Sequence, residues 1–214
     1  MPLLAKNQAA LLSTAYLGPV QYFSKLVNYE KVYIDYFEHY SKQSYRNRCV
    51  ILSANNTLSL SIPVMKSISP KMVTKDVCID YGKRWMQIHS RALESAYRSS
   101  PFYMYYWDEV HEIYNKKHKY LIDLNEDLLF TILKLLNIQV NINFTTGYKK
   151  VPCTFDDFSE KIHPKARIKK PDEHFIPKKY YQVFESKFGF IPNLSIIDLL
   201  FNMGPESYEI LKMQ

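Results

Sequence analysis

Two hydrophobic patterns follow each other in the first forty residues. The apolar run 10–15 is followed by the turn pair Gly18-Pro19, and then by apolar residues at the three-to-four spacing of a helix, namely Val20, Phe23, Leu26 and Val27. The next segment, 31–37, alternates and is rich in residues that favour strands. A strand, a helix and a strand within about 25 residues predict a βαβ unit, and parallel pairing then implies an α/β fold.

The pattern of the next segment predicts a β-hairpin inserted after this unit. Residues 48–52 and 57–64 are apolar or alternating, and they flank Asn55-Asn56, a pair that tolerates positive φ. Pro63 restricts the second strand to an edge or an end, because proline cannot donate a ladder hydrogen bond. Residues 77–81 are predicted to add a further short strand.

Helical periodicity dominates after the hairpin. A first helix begins near Gly82, stops before Pro101 and carries on one side Trp85, Ile88, Ala92, Leu93 and Ala96. Residues 102–119 and 123–137 predict two more helices, the second with polar capping groups at its start. Residues 140–144 form the last clear strand. The prediction is therefore a small parallel or mixed sheet with several flanking helices.

The last third of the chain divides into a polar region and a helical segment. Residues 151–179 contain proline and read as a loop whose basic residues are Lys161, Lys165, Arg167, Lys169, Lys170, Lys178 and Lys179. This loop either closes over an anionic substrate or is an ordinary solvated loop. Residues 180–214 form the helical segment, with helices at 180–188, followed by Gly189, and at 194–201, capped by Asn193.

Length, charge and cysteine content limit the classes of protein. At roughly 100–200 residues per domain, 214 residues predict a single domain over 1–214. A net charge of +7 favours anionic ligands, but five glycines leave no phosphate loop or GxGxxG motif. Three dispersed cysteines, an interrupted apolar N-terminus and no long apolar run predict a cytoplasmic protein without membrane insertion.

The densest polar cluster, residues 38–48, follows the second predicted parallel strand, where open α/β sheets bind their ligands. Lys42, Arg46 and Arg48 are suited to phosphate or carboxylate, with Tyr40, Tyr45 and Asn47 as hydrogen-bonding partners. A base in this cluster would be Glu38 or His39. The alternative is a polar turn that leads into the hairpin.

The helix after the hairpin carries a second set of candidates. His89 and Arg91 lie on it with Trp85 and Tyr97, and His89 is either a general base, a phosphate ligand or a structural histidine. His111 and His118 are seven residues apart, so no zinc site is predicted. There is no GxSxG motif and no recognition-helix or RNP signature, so neither a serine hydrolase nor nucleic-acid binding is expected.

Four segments together carry a family resemblance: AYLGPVQYFSKLVNYEKVYID, EHYSKQSYRNRC, IHSRALESAYRSSPFYMYY and FIPNLSIIDLLFNMGPES. The chain resembles the WbqC-like protein family over nearly its whole length, from about residue 11 to residue 211. The positions that match the family have no assigned roles; they are Gln21, Tyr22, Lys42, Arg46, Asn47, Arg48, His89, Arg91, Tyr97, Asn125 and Pro205.

This resemblance implies a role in O-antigen and other surface-polysaccharide synthesis. The implied activity is transfer of glycine or a related acyl group to the amino group of a nucleotide-linked amino-sugar, with an activated acyl donor and with the use of ATP left open. In that reaction Lys42, Arg46 and Arg48 would hold phosphates, His89 or Glu38 would take the proton from the amine, and Asn47 with Tyr97 would orient the substrate. The alternative is a non-catalytic scaffold that binds partners through residues 102–107.

The opening strand, helix and strand also resemble nucleotidyltransferases of the HIGH type. Gly18-Pro19 leads the helix as in those enzymes, but both phosphate-contacting histidines are missing from residues 18–22. On this analogy, Gln21 and Tyr22 lie at the start of the helix, where free N–H groups would favour an anion.

Overall fold

The computed structural model describes residues 9–66, 71–165 and 170–212. Its helices and strands, in chain order, are β1 (Ala9–Ser13), α1 (Val20–Asn28), β2 (Lys31–Asp35), β3 (Arg48–Ser53), β4 (Asn56–Ser61), a 3-10 turn (Thr74–Asp76), α2 (Trp85–Tyr97), α3 (Tyr103–Asn115), α4 (Leu121–Leu135), β5 (Ile142–Phe144), β6 (Asp156–Asp157), α5 (Glu185–Phe188), α6 (Ile196–Met203), a second 3-10 turn (Gly204–Glu206) and α7 (Ser207–Leu211).

The predicted α/β fold is confirmed. Strands β5, β2, β1 and β6 form a parallel sheet in that order, with Ala9 opposite Lys31 at the start of the central pair. Helix α1 makes the crossover between β1 and β2, as the βαβ pattern predicted. Residues Ala9 to Leu12 are fully buried, which is typical of a parallel strand covered on both faces.

The hairpin is also confirmed, and it forms a separate two-stranded antiparallel sheet. Strands β3 and β4 pair from Arg48 opposite Ser61 to Ser53 opposite Asn56, so the turn between them is two residues long. The predicted strand at 77–81 is wrong. This segment makes only isolated bridges, from Ile79 to Val64 and from Cys78 to Tyr120, because its backbone hydrogen bonds are divided between two short neighbouring segments, 63–65 and 119–121.

Several predictions for the helices need correction. On α2 the buried positions are Trp85, His89, Leu93, Ala96 and Tyr97, whereas Ile88 is 61% exposed. The helix predicted at 180–188 is confined to its last turn, α5. Asn193 does not cap α6; the Ser195 hydroxyl does, by accepting a hydrogen bond from the Ile197 N–H group.

In the described residues of region 151–179, the predicted loop is interrupted by one short strand, β6, and by no helix. This strand adds to β1 at the edge of the sheet and is too short to show a periodic pattern. Among its basic residues, Lys170 pairs with Glu160 and Lys179 with Glu185 at the surface, and Lys178 donates to the Glu209 carbonyl. Arg167 and Lys169 lie outside the described residues.

The core is centred on α6 and on the helices that pack around it. Residues Ile196 to Phe201 are almost completely inaccessible to solvent, and Phe201 contacts the rings of Tyr97, Tyr103 and Trp107 from α2 and α3. Burying this number of large side chains is the main stabilising contribution to such a fold. Helix α6 is therefore the most deeply buried helix among the described residues.

Candidate functional site

A buried ion pair lies at the carboxyl edge of the parallel sheet. Ser13 ends β1, Glu38 follows β2, and Arg46 precedes β3. The Arg46 guanidinium donates from Nε to Glu38 Oε1 at 2.6 Å and from Nη2 to Glu38 Oε2. The Ser13 hydroxyl donates to Glu38 Oε2 at 2.9 Å and accepts from Arg46 Nη2 at 2.9 Å. These three residues are called the Arg46 cluster.

The Arg46 cluster has almost no access to water. Glu38 is 5% exposed and Arg46 8% exposed. Burial raises the pKa of the Glu38 carboxyl, against the opposing effects of the Arg46 guanidinium and the Ser13 hydroxyl. A carboxyl whose pKa is raised in this way can exchange a proton closer to neutral pH than an exposed one.

Several buried polar atoms without hydrogen-bond partners belong to residues that are linked to Arg46 by the chain, by a hydrogen bond or by charge. Within the described part of the chain, seven buried side-chain atoms have no partner, and four of these are Tyr40 Oη, Asn47 Oδ1, Asn125 Oδ1 and His163 Nε2. Asn47 is the chain neighbour of Arg46, and the Asn125 amide donates to the Arg46 carbonyl at 2.8 Å. The charge of Arg46 acts on both Tyr40 and His163. Buried polar groups are normally satisfied, so these four atoms are candidates for contact with a polar ligand or with water.

The hydrogen bonds of His163 determine which nitrogen carries its proton. Its Nδ1 accepts from the Lys165 backbone N–H at 3.0 Å, so in the neutral ring Nε2 carries the proton. Burial lowers the pKa of His163, and the positive charges of Arg46 and Lys165 lower it further, against the hydrogen bond from the Lys165 backbone. His163 therefore offers one unpaired N–H donor beside the Arg46 cluster.

The three predicted phosphate-binding cations differ in their surroundings. The Arg46 guanidinium is held by Glu38 and Ser13, whereas Lys42 is exposed and Arg48 is half-buried. Arg48 Nε donates to the Ser61 hydroxyl at 2.9 Å. Among the described residues neither Lys42 nor Arg48 pairs with a carboxylate, so these two are the cations available to an anionic ligand.

The start of α1 does not offer free N–H groups, and that expectation is wrong. The Val20 N–H donates to the Leu194 carbonyl, the Gln21 N–H to Asn193 Oδ1, and the Tyr22 N–H to the Pro19 carbonyl, each at 2.9 Å. Asn193 and Leu194, which are distant in sequence, thus accept hydrogen bonds that an anion would otherwise accept.

The Gln21 side chain is equally engaged. It donates to Asp172 Oδ2 at 2.7 Å, and Asp172 also forms a buried ion pair with Lys25. Tyr22 is also buried, and burial together with the charge of Glu38 raises the pKa of its hydroxyl. Direct substrate binding by Gln21 and Tyr22 stays a prediction.

His89 lies on α2 and lines a groove of about 500 Å³ between that helix and β4. Its Nδ1 is 2.8 Å from Tyr16 Oη, and the ring also hydrogen-bonds the backbone of Ser61. Burial lowers the pKa of His89 to about 4, so the ring is neutral at pH 7. Arg91 is exposed on the same helix. The structure does not bring His89 into the Arg46 cluster, and its role as a base stays a prediction.

Tyr97 belongs to a third, buried set of polar residues. Its hydroxyl donates to Asp198 Oδ1 at 2.9 Å, while the Tyr180 hydroxyl and the Gln182 amide donate to Asp198 Oδ2 at 2.8 Å and 3.1 Å. This network joins α2 to the C-terminal segment. Tyr97 and Asn47 therefore lie in different surroundings, although both were predicted to orient one substrate.

Two residues of the site were missed by the sequence analysis. Ser13 ends the first predicted strand, and a polar residue at that end of a parallel strand is a usable signal. His163 lies in a segment without periodicity, so no sequence signal placed it beside Arg46.

Across residues 9–66, 71–165 and 170–212, no three His, Cys, Asp or Glu side chains are grouped so that they could hold a metal ion. No helix in that part of the chain combines the length and the apolar character needed to cross a bilayer.

Comparison with known proteins places this arrangement in a family. The family model described as WbqC-like protein family matches residues 14–162. The chain is 24% identical over 227 residues to the uncharacterized protein Rv1507c of Mycobacterium tuberculosis (strain ATCC 25618 / H37Rv), covering 96% of this chain and 98% of that protein. No solved structure matches the chain. Because the family model spans more than half of its length, the chain belongs to the WbqC-like protein family.

Proposed function

We propose that the protein is a transferase of surface-polysaccharide biosynthesis that attaches an amino acid such as glycine, or a related acyl group, to a nucleotide-linked amino-sugar. The observation that supports this proposal most is the set of four unpartnered polar atoms on residues linked to Arg46. A ligand rich in hydroxyl and amino groups satisfies such a set, whereas an apolar ligand would not.

The chemistry of the four atoms matches an amino-sugar. Asn47 Oδ1 and Asn125 Oδ1 are acceptors for an amine or a hydroxyl, His163 Nε2 is a donor for a ring or hydroxyl oxygen, and Tyr40 Oη serves in either role. Lys42 and Arg48, which have no carboxylate partner among the described residues, are suited to the phosphates of the nucleotide.

The proposed transfer needs one proton acceptor and one activated acyl donor. The sugar amine attacks the acyl carbon, the C–N bond forms, and the bond to the leaving group breaks with its electron pair. Glu38 accepts the proton from the amine, since it follows a strand of the parallel sheet and burial raises the pKa of its carboxyl. The donor is an activated acyl compound, and its formation from ATP is left open.

Replacing Tyr40 by Phe provides a first test of this site. Tyr40 Oη has no partner among the described residues, so its loss is expected to change the free energy of unfolding by less than about 0.5 kcal/mol. If the hydroxyl binds substrate, the variant will bind a 4-amino-4,6-dideoxy-sugar nucleotide about tenfold more weakly. Thermal shift titrations against nucleotides, amino-sugar nucleotides and glycine measure the loss.

The matched control is Tyr105→Phe, because Tyr105 is 74% exposed on α3, away from the sheet edge. This variant is expected to keep the wild-type stability and the wild-type affinity. The transferase proposal fails if no amino-sugar nucleotide stabilises the folded wild type, or if Tyr40→Phe binds it as tightly as wild type does.

A non-catalytic scaffold is the second candidate, and it is favoured by one observation. In the segment 102–107, Met104 and Tyr105 are 77% and 74% exposed. The rest of the segment is core packing, since Tyr103 and Trp107 contact Phe201. If this patch binds partners, association measured by size-exclusion chromatography will be independent of sugar nucleotides and will be lost in Met104→Lys.

A further inference from the structure

Strand β4 has an open edge. In its antiparallel register with β3, alternate residues direct their backbone groups towards β3: Ile62 N–H, for example, donates to the Asn47 carbonyl at 2.8 Å. The residues between them, including Ser59 and Ser61, direct their backbone groups away from β3, and the Ser61 backbone already hydrogen-bonds the His89 ring. On this outer side Ser59 makes no backbone hydrogen bond with any described residue.

The opposite edge of the hairpin, which β3 forms, is covered by other parts of the chain. There the Val50 carbonyl accepts from the Ser195 N–H at 2.8 Å, and the Leu52 N–H points to the Tyr97 hydroxyl. The β3 edge is thus hydrogen-bonded within the protein, whereas residues Asn56 to Ser59 of β4 are exposed to solvent. An uncovered edge of this kind is a template for another strand.

An apolar groove runs beside this edge. Its walls combine residues 58–63 of the hairpin with Trp85, Ile88 and Ala92 of α2, and its volume is about 500 Å³. Two of its apolar side chains, Leu58 and Ile88, are exposed to solvent and lie outside the core of the fold. The groove therefore has room for side chains.

The positive charge around the groove favours one class of binding partner over another. Lys83 lines it, and the exposed Arg84 and Arg91 lie four residues before and three residues after Ile88, a spacing that brings side chains of a helix next to each other. None of the three pairs with a carboxylate among the described residues. A second copy of this chain would bring an equally basic rim against this one, so like charges disfavour self-association, and a partner that carries carboxylates is favoured.

We propose that β4 binds an extended acidic segment of a partner protein as an added strand. The main chain of the segment pairs with the Ser59 N–H and carbonyl groups, its apolar side chains enter the groove against Ile88 and Ala92, and its carboxylates meet Lys83. Main-chain pairing supplies affinity in this mode of recognition, and the side-chain pockets supply specificity. The proposal does not depend on the transferase activity.

The test uses a fluorescein-labelled peptide of alternating valine and glutamate, blocked at both ends, with binding followed by fluorescence polarisation. Ser59→Pro removes the outward N–H and is compatible with an edge strand, because the ladder to β3 does not use that group. We expect it to weaken binding about tenfold. Ser59→Ala keeps the N–H group and is expected to bind as wild type does.

A second measurement avoids any effect of proline on folding. Wild type is titrated with the same peptide carrying N-methyl groups on its central residues, and with a peptide in which lysine replaces glutamate. Both are expected to bind at least about tenfold more weakly, since one lacks main-chain donors and the other opposes Lys83.

Three results would overturn the proposal. The first is no saturable binding of the acidic peptide to the folded wild type. The second is equal binding of the N-methylated peptide, which would mean that no strand is added. The third is a wild-type dimer in sedimentation experiments that Ser59→Pro dissociates, which would show that the edge pairs with a second copy of this chain.

Discussion

Replacing Arg46 by Met is expected to lower the free energy of unfolding by about 3–5 kcal/mol, which is the typical cost of removing one partner from a buried ion pair. Glu38 would remain buried with only the Ser13 hydroxyl to stabilise its charge. The loss should therefore exceed that of an ordinary surface substitution several times over. Urea unfolding followed by circular dichroism at pH 7 measures it.

Two comparisons separate the loss of the ion pair from the loss of a long side chain. The double variant Glu38→Gln with Arg46→Met removes both charges and is expected to recover much of the stability. Arg98→Met serves as the surface control, because Arg98 and Glu94 are largely exposed and 3.9 Å apart. It should cost less than about 1 kcal/mol.

The pH dependence of Arg46→Met provides a further check. Burial already raises the pKa of Glu38, and removing the guanidinium raises it further. A carboxyl with a raised pKa in the folded state takes up a proton there first, so the variant becomes more stable as the pH falls towards the ordinary pKa of glutamate. A variant as stable as wild type at pH 7, or one that gains nothing at low pH, would show that the pair does not hold the site together.

The βαβ unit and the hairpin could be predicted because each has its own local period. Residues 20–27 repeat at helical spacing, and residues 31–37 alternate, so the order of elements followed from the sequence. β6 could not be predicted, since two residues carry no period and their position depends on pairing with β1. Ile88 was misplaced because an apolar residue on a helix need not face the core; here it borders a groove.

The candidate site was predictable in location more than in detail. Residues 38–48 follow a parallel strand, and the structure accordingly brings Glu38 and Arg46 to Ser13 at the end of β1, whereas Asn47 pairs with Ile62 at the base of the hairpin. Spacing along the chain does not show whether two opposite charges face each other or a ligand, so the pairing of Arg46 with Glu38 was missed. Asn125 and His163 reach Arg46 only through tertiary packing, as hydrogen bonds and burial show.

This pairing changes how the site would recognise an anion. A guanidinium that already binds a carboxylate contributes little net charge, so the Arg46 cluster is suited to neutral hydroxyl and amino groups. In the proposed function, Lys42 and Arg48 would then supply the attraction for phosphate. The sugar and the nucleotide parts of the proposed substrate would accordingly be bound by different residues of the same segment.

Asp198→Asn is expected to remove a pH dependence of stability that wild type possesses. Asp198 is buried on α6, and burial raises the pKa of its carboxyl to about 6 despite hydrogen bonds from Tyr180, Tyr97 and Gln182. Below about pH 4 the carboxyl is protonated in both the folded and the unfolded chain, so its ionisation costs nothing there. As the pH rises, the unfolded chain loses this proton before the folded chain does, and wild type is destabilised until the pH exceeds the folded pKa.

The free energy of unfolding of wild type relative to Asp198→Asn should therefore fall between pH 4 and pH 7. The expected fall is on the order of 3 kcal/mol, because each unit between the pKa of Asp198 in the folded chain and its pKa in the unfolded chain corresponds to about 1.36 kcal/mol. Urea unfolding of both proteins at each pH measures the difference, and subtraction removes the groups they share. Tyr97→Phe withdraws one hydrogen-bond donor from the charged Asp198 carboxyl. The free energy of unfolding of this variant should therefore continue to decline to higher pH than that of wild type. Parallel profiles for wild type and Asp198→Asn would mean that this carboxyl has the same pKa in both states, and that Tyr97 and Tyr180 hold the C-terminal segment without linking it to protonation.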